Sequence, residues 1–304
     1  MSSLPVSALE AALARFVRCP RCRAPLELQG DRLVCRGAGC GFRGRLSDGV
    51  VMLQAEAEHG SEFDAAFEIM QQASAHPGVR RLCYAQQTAS LEASVAPSSV
   101  LLDVGCGPAL PYRRDPRWFV IGLERSFESL RRNTEVDLRV HGTATALPLA
   151  DRSVDAIVCF YSIHHMVGAT VAQNGALVAA AFREFGRVLK PHGELFVFEL
   201  APLWPVWQLE RALWNRVRRA HPAVNMFFWS TPSLLRIADA NLPGGTTHER
   251  RRYTAPPWIV FPPIFTLPRF LAPRLLYPFL LYLYHWRLGD RPGSSPPSVA
   301  SEGR

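Results

Sequence analysis

Val100-Leu101-Leu102-Asp103-Val104-Gly105-Cys106-Gly107-Pro108-Ala109 is a short apolar run that ends in an acid and breaks into a glycine turn. Leu101, Leu102 and Val104 predict a strand buried on both faces. Gly105 and Gly107 allow a sharp turn and a close approach to a ligand that a Cβ would block. A dinucleotide loop wants a third glycine at the sixth position, where this chain has Leu110, so the turn does not read as an NAD site.

Spacing extends the pattern. Phe119-Val120-Ile121-Gly122-Leu123-Glu124 is a second apolar run, and its terminal acid stands about 20 residues past the first glycine, where a ribose diol needs a carboxylate. Gly142-Thr143-Ala144-Thr145-Ala146-Leu147-Pro148-Leu149 precedes a third run, Ser153 to Phe160, and the stretch from Phe185 to Phe198 closes the series. These motifs, in this order over residues 99–262, resemble a class I S-adenosylmethionine-dependent methyltransferase of the type 11 group. The resemblance implies an α/β fold, a doubly wound Rossmann-like sheet, with S-adenosylmethionine as methyl donor. It also implies that Asp103, Gly105, Cys106 and Gly107 meet the methionine end of the cofactor, Glu124 its ribose, and Thr143 and Ala144 its adenine, with Phe160 among the contacts.

A chain of 304 residues, 48% hydrophobic, can bury one substantial core and a small accessory module. The first residues carry no signal-peptide pattern, so the expected compartment is the cytoplasm. Four of the seven cysteines cluster, which favours metal ligation in a reducing compartment over disulfides. The net charge of +8 lies wholly in residues 201–304, since the first 200 residues balance. Such an end suits a nucleic-acid or an anionic-membrane partner.

Ser7 to Val17 has apolar residues at helical spacing and leads into Cys19-Pro20-Arg21-Cys22, followed by Cys35 and Cys40. Two knuckle turns with Leu26–Leu28 and Arg32–Val34 as hairpin strands would bring Cys19, Cys22, Cys35 and Cys40 around one structural Zn²⁺, with no coordination position left open. This ribbon resembles the N-terminal zinc module of guanine-N1 methyltransferases of large-subunit ribosomal RNA, which implies an RNA substrate. A ribbon that merely caps the catalytic domain fits the same residues.

The domain reading is a zinc ribbon at 1–55, a helical linker or cap at 56–98, the methyltransferase domain at 99–262, an apolar aromatic segment at 263–288 and a disordered tail at 289–304. In the linker, Phe63, Phe67 and Met70, then Leu82, Tyr84 and Leu91, predict two helices broken at His76-Pro77-Gly78. Two features depart from the family pattern. Prolines 108, 111 and 116 predict that the first crossover helix is very short or absent. Thr143 stands where the family commonly has an acid on the adenine amino group.

The fourth motif strand ends in Phe160-Tyr161-Ser162-Ile163-His164-His165-Met166, the face the resemblance places nearest the sulfonium methyl. Methyl transfer depends mainly on alignment, but a hydroxyl or acidic carbon acceptor benefits from a base, and His164 or His165 has a suitable ordinary pKa of about 6.5. Beyond Glu199, tryptophans 204, 207, 214 and 229 with Phe227 and Phe228 interleave with Arg211, Arg216, Arg218 and Arg219, a pattern that suits base stacking or the wall of a pocket for a flat or lipid-like acceptor. Thr231 to Asn241 predicts a helix, and Thr246–Thr254 and Trp258–Phe261 the last two strands. The segment 262–288 is too interrupted to span a bilayer, and its expected role is peripheral membrane contact or packing on the domain. The acceptor classes open at this stage are a small or membrane-derived metabolite, RNA, or none, the last as a cofactor-binding regulatory protein without catalysis.

Overall fold

The computed structural model describes residues 5–53, 84–253 and 279–289. Its centre is a single sheet of 11 strands in the order β1-β2-β3-β4-β7-β6-β5-β8-β9-β11-β10. In chain order the elements are α1 (Val6–Phe16), β1 (Leu26–Gln29), β2 (Arg32–Cys35), β3 (Arg43–Ser47), β4 (Val50–Met52), α2 (Ala85–Ser94), β5 (Val100–Val104), β6 (Phe119–Glu124), α3 (Phe127–Arg132) and β7 (Leu138–His141). There follow β8 (Val154–Phe160), α4 (Val171–Val188), β9 (Leu189–Pro202), α5 (Trp204–Ala220), α6 (Thr231–Asn241), β10 (Thr247–Tyr253) and β11 (Phe279–Arg287). Strands β4 to β9 run parallel, and β11 and β10 complete the sheet in antiparallel register.

The central strands are apolar at successive positions because both faces are covered. Leu102, Val104, Ile121, Leu123 and Val140 pack on the side of α1, α4 and α6. Leu101, Val120, Val158, Phe196 and Phe198 pack on the other side with Leu91 of α2 and Leu130 of α3. Among the described residues no helix connects β5 to β6, as the prolines predict. The segment instead lays Leu110, Tyr112 and Trp118 on the sheet face that a crossover helix would cover, and Arg114 clamps it to Asp137 at 2.6 Å.

Two features differ from the sequence-based domain reading. The cysteine module is no separate body: β4 pairs in parallel with β7, Val50 opposite Arg139 and Met52 opposite His141. Leu13, Phe16, Val17, Leu26, Leu33 and Val51 share one core with the central sheet, and the Phe16 and Phe119 rings stack 5.3 Å apart. The second difference lies at the C-terminus. Phe279–Arg287, expected in a separate apolar segment, is a strand paired on one side with β9 and on the other with β10. Leu283 and Trp286 have no exposure, so this part of 262–288 is core and the sheet runs past 262 to Arg287. An uninterrupted apolar run of this length reads equally as helix or doubly buried strand, because it has no period. Exposed β10 then closes the sheet with Arg250, Arg251 and Arg252, charges that discourage edge pairing. The expectations for Phe63, Phe67, Met70 and Leu82, for Trp258–Phe261, for residues 262–278 and for the tail from 290 lie outside the described residues.

Candidate functional site

The strand order reverses at β5, whose neighbours are β6 and β8, and in such sheets the ligand crevice opens at the carboxyl ends of the strands flanking that reversal. The glycine turn, Glu124 and the histidine pair all lie there. Gly105 has φ +76°, and a Cβ on it would come within 2.7 Å of Ser162 Cβ, so the turn and the loop after β8 are in direct contact. Ser162 Oγ fixes that contact by donating to the Val104 carbonyl at 2.9 Å. Gly107, at φ +56°, has nothing within 4 Å of where a Cβ would stand.

The amides of the turn face the protein and not the crevice. Gly105 and Cys106 N–H donate to the Leu123 carbonyl, and Gly107 N–H donates to Glu124 Oε2 at 3.2 Å. Glu124 Oε1 accepts from Arg125 and Ser126 N–H at 2.6 and 3.0 Å, and burial raises its carboxyl above the usual range. Three amides occupy three of the roughly four acceptor positions of the carboxylate, leaving one for a hydroxyl. Cys106 is expected among the cofactor contacts, but its thiol points at the core: its Sγ would lie 2.8 Å from a Cβ on Gly122. Only the backbone of Cys106 remains for that role.

Asp103 is fully buried at the end of β5. Its Oδ2 accepts from Tyr112 Oη at 2.9 Å, while Oδ1 has no partner among the described residues. Burial pushes its pKa up to about 7, an effect the Tyr112 hydrogen bond partly opposes. Beyond β7, Thr143 Oγ1 and Thr145 Oγ1 lie 3.0 Å apart in a tight turn, and Ala144 is buried beside them.

His164 and His165 sit in a short 3-10 turn after β8, with ring centroids 4.2 Å apart. Their environments differ. Buried Glu199, on β9, takes His164 Nδ1 at 2.7 Å on Oε1 and the His164 amide at 3.1 Å on Oε2. Leu200 N–H also donates to Oε1, at 2.9 Å, so the carboxylate is locked. His165 Nδ1 lies 3.0 Å from the Asn225 carbonyl and must therefore carry the proton. Burial, followed by repulsion from His164, pushes the His165 pKa down to about 3. Phe228 stacks on His164 at 4.9 Å, and Glu210 of α5 accepts from Phe228 N–H at 3.0 Å. Sequence reasoning missed Glu199. The available signal was an acid inside the apolar run Phe196–Leu200, which demands a buried polar partner. Beside this pair, Phe160 meets Tyr84, Tyr161 and Phe198 with ring centroids 4.7–5.0 Å away. Tyr161 holds φ +53°, an unusual backbone for an aromatic residue.

Residues 102–197 match the family described as a methyltransferase domain. Over those residues the chain carries a methyltransferase domain. No curated protein matches the chain. A chain from the complex between the Haloferax volcanii Trm112 methyltransferase activator and a methyltransferase is similar at 18% identity, over 75% of this chain and 98% of that one, with a TM-score of 0.52. The [4+2]-cyclase SpnF is similar at 18% identity, over 75% of this chain and 93% of that one, with a TM-score of 0.50. At these identities the likeness is one of fold, and a cyclase on the same fold means that fold does not fix the reaction.

The cysteine module forms the second candidate site. Sγ atoms of Cys19, Cys22, Cys35 and Cys40 all lie within 4.8 Å of one another. The Cys19–Cys40 and Cys22–Cys35 separations are 3.7 and 3.3 Å, close to the roughly 3.8 Å edge of a tetrahedron with Zn–S bonds of about 2.3 Å. The Gly37 amide donates to Cys35 Sγ at 3.2 Å. In the first knuckle, Arg23 reaches Glu184 of α4 at 3.2 Å.

Proposed function

We propose that the protein transfers a methyl group from S-adenosylmethionine to an oxygen or acidic carbon of a small or lipid-like metabolite, with His164 as the base and Glu199 as the residue that positions it. The observation that carries this reading is the buried 2.7 Å contact between His164 Nδ1 and Glu199 Oε1 at the carboxyl ends of β8 and β9, two residues beyond the serine that touches the glycine turn.

The cofactor fits the residues present. The buried, partnerless Oδ1 of Asp103 suits a methionine ammonium, and the open space over Gly107 is room that a side chain would fill. Because the turn's amides are engaged, the turn would meet that ammonium with its carbonyls. The remaining acceptor position of Glu124 suits a ribose hydroxyl, and Thr143 and Ala144 suit the adenine edge. When bound, the cofactor supplies an electrophilic methyl on a sulfonium, open to in-line attack. Holding the acceptor in line is then the chain's main contribution. The aromatic wall of Tyr84, Phe160, Tyr161 and Phe198 suits an apolar or flat acceptor.

Glu199 accepts from Nδ1–H, which leaves Nε2 of His164 as the basic nitrogen and stabilises the imidazolium that forms when it takes the acceptor's proton. His165, with a pKa near 3, is too weak a base near neutrality and is assigned a packing role. We further propose that Cys19, Cys22, Cys35 and Cys40 hold one structural zinc. RNA as acceptor loses most of its stacking surface, because Trp214, Phe227, Phe228 and Trp229 are buried and only Trp204 of that set is largely exposed.

Incubation with methyl-labelled S-adenosylmethionine and cell extract, followed by separation into lipid, small-molecule and RNA fractions, tests the reading. Label in lipid or small molecules supports it. Label in RNA overturns the acceptor class, and cofactor binding without label in any fraction favours a non-catalytic regulatory protein.

A further inference from the structure

Helix α5 leaves β9 at the edge that carries the histidine pair, and its two sides differ. Trp207, Glu210 and Trp214 follow i, i+3, i+7 spacing, and this side faces inward: Trp214 is buried against the Phe227 ring at 5.1 Å, and Glu210 holds the Phe228 amide. Val206, Leu209, Leu213 and Val217 form a neighbouring stripe at i, i+3, i+7 and i+11. Of the most exposed large apolar side chains among the described residues, all but Val6 belong to this helix or its first flank: Leu203 at 39%, Trp204 at 68%, Leu209 at 61% and Leu213 at 39%. Scattered apolar exposure is ordinary, whereas concentration on one helix marks an interaction surface.

Charge selects the partner. Arg211, Arg216, Arg218 and Arg219 lie on the same helix, and its one acid, Glu210, is turned inward. Arg211 lies over the Trp207 ring at 5.4 Å and Arg218 donates to the Val224 carbonyl at 2.9 Å. Arg216 and Arg219 are exposed. An apolar stripe bordered by arginines, with a tryptophan at one end, is the composition of a helix that lies in the headgroup region of an anionic bilayer. It is a poor nucleic-acid surface, since of the clustered aromatics Trp214, Phe227, Phe228 and Trp229 are buried and only Trp204 is largely exposed. Among the described residues no helix is long and apolar enough to cross a membrane.

We propose that the outer face of α5 seats this protein on an anionic lipid surface. Through Glu210 and Phe228 the helix is one packed layer from His164, so the docked protein meets the bilayer at the edge where the acceptor enters. The inference rests on the proposed methyl-transfer reading for what this surface serves, and the acceptor it points to is lipid-borne.

Flotation of the full-length protein with vesicles of phosphatidylcholine alone, and with vesicles that also contain phosphatidylglycerol, tests the surface. We expect flotation with the anionic vesicles, weakened about fivefold by each of Arg216→Ala and Arg219→Ala and abolished in Leu209→Glu/Leu213→Glu. S-adenosylmethionine titration of the same variants separates the two readings: retained binding shows that a lost flotation is a surface effect. Failure of the wild type to float, or unchanged flotation of the leucine variant, overturns the proposal. So does self-association without lipid that the leucine variant abolishes, which would make the face a contact between copies. Displacement from vesicles by mixed-sequence RNA, with RNA binding lost in the arginine variants and kept in the leucine variant, would assign the face to nucleic acid and also overturn it.

Discussion

Phe16→Ala separates a ribbon that is part of the catalytic core from one that merely precedes it. Phe16 is 3% exposed and stacks on Phe119, the first residue of β6, while Val17 pairs with Leu149 just beyond the Thr143–Ala144 turn. Truncating a buried phenylalanine costs about 3–5 kcal/mol, from lost transfer energy and the cavity left behind. For a domain of this size each kcal/mol moves the midpoint by about 2–4 °C, so a fall of about 10 °C is expected. Differential scanning calorimetry of the full chain reads it. A shared core predicts one transition, with calorimetric and van't Hoff enthalpies in agreement, that shifts as a whole. Two transitions, with only the smaller one moving, would show that the ribbon folds by itself and that the β4–β7 pairing carries no cooperativity.

Glu199→Gln should reduce methyl transfer about 100-fold or more while S-adenosylmethionine affinity stays the same, because an amide offers one acceptor to groups that now share a carboxylate. An unchanged rate in this variant would reduce Glu199 to a structural role. Asp103 carries a pH-dependent cost: burial raises it from 3.8 to about 7, so the folded state holds the proton more tightly, and its contribution is greatest below pH 4 and lost as pH climbs through 7. That gap converts to about 4 kcal/mol. Asp103→Asn should therefore gain on the wild type by about this much between pH 4 and 8 in urea titrations, and a pH-independent difference would contradict the buried-carboxylate account. Metal analysis should find one zinc per chain, lost in Cys19→Ser together with a fall in the midpoint of the whole domain; an unchanged midpoint would make the cysteine cluster dispensable.

Much of the site was legible because the chemistry is local. An apolar strand, a terminal acid and a glycine turn are adjacent in the chain, and the proline-rich stretch that replaces the crossover helix can be read from φ restriction and the missing amide. Three features were hidden because they depend on pairing between distant residues. Val50–Met52 carries no mark that it will extend the sheet at β7. Phe279–Trp286 has no alternation, since it is covered on both faces, and so it resembles an interfacial segment as much as a central strand. The partnership of His164 with Glu199 spans 35 residues, and only the oddity of an acid in an apolar strand hints at it. The aromatic residues near the C-terminal arginines were visible as a cluster. That Trp204 is exposed while Trp214, Phe227, Phe228 and Trp229 are buried follows from how the chain packs.

The cofactor site is tested most directly by calorimetric titration with S-adenosylmethionine of the wild type and of Gly107→Arg. Gly105 is a poorer choice, because any side chain there strikes Ser162 and confuses misfolding with lost binding, whereas a Cβ at Gly107 meets nothing within 4 Å. The left-handed backbone at Gly107 costs a larger residue about 1–2 kcal/mol, which a folded domain tolerates. One binding event per chain in the wild type, and none in a Gly107→Arg variant that still unfolds cooperatively, is the predicted result. Equal binding by both proteins would contradict the placement of the methyl donor over the glycine turn.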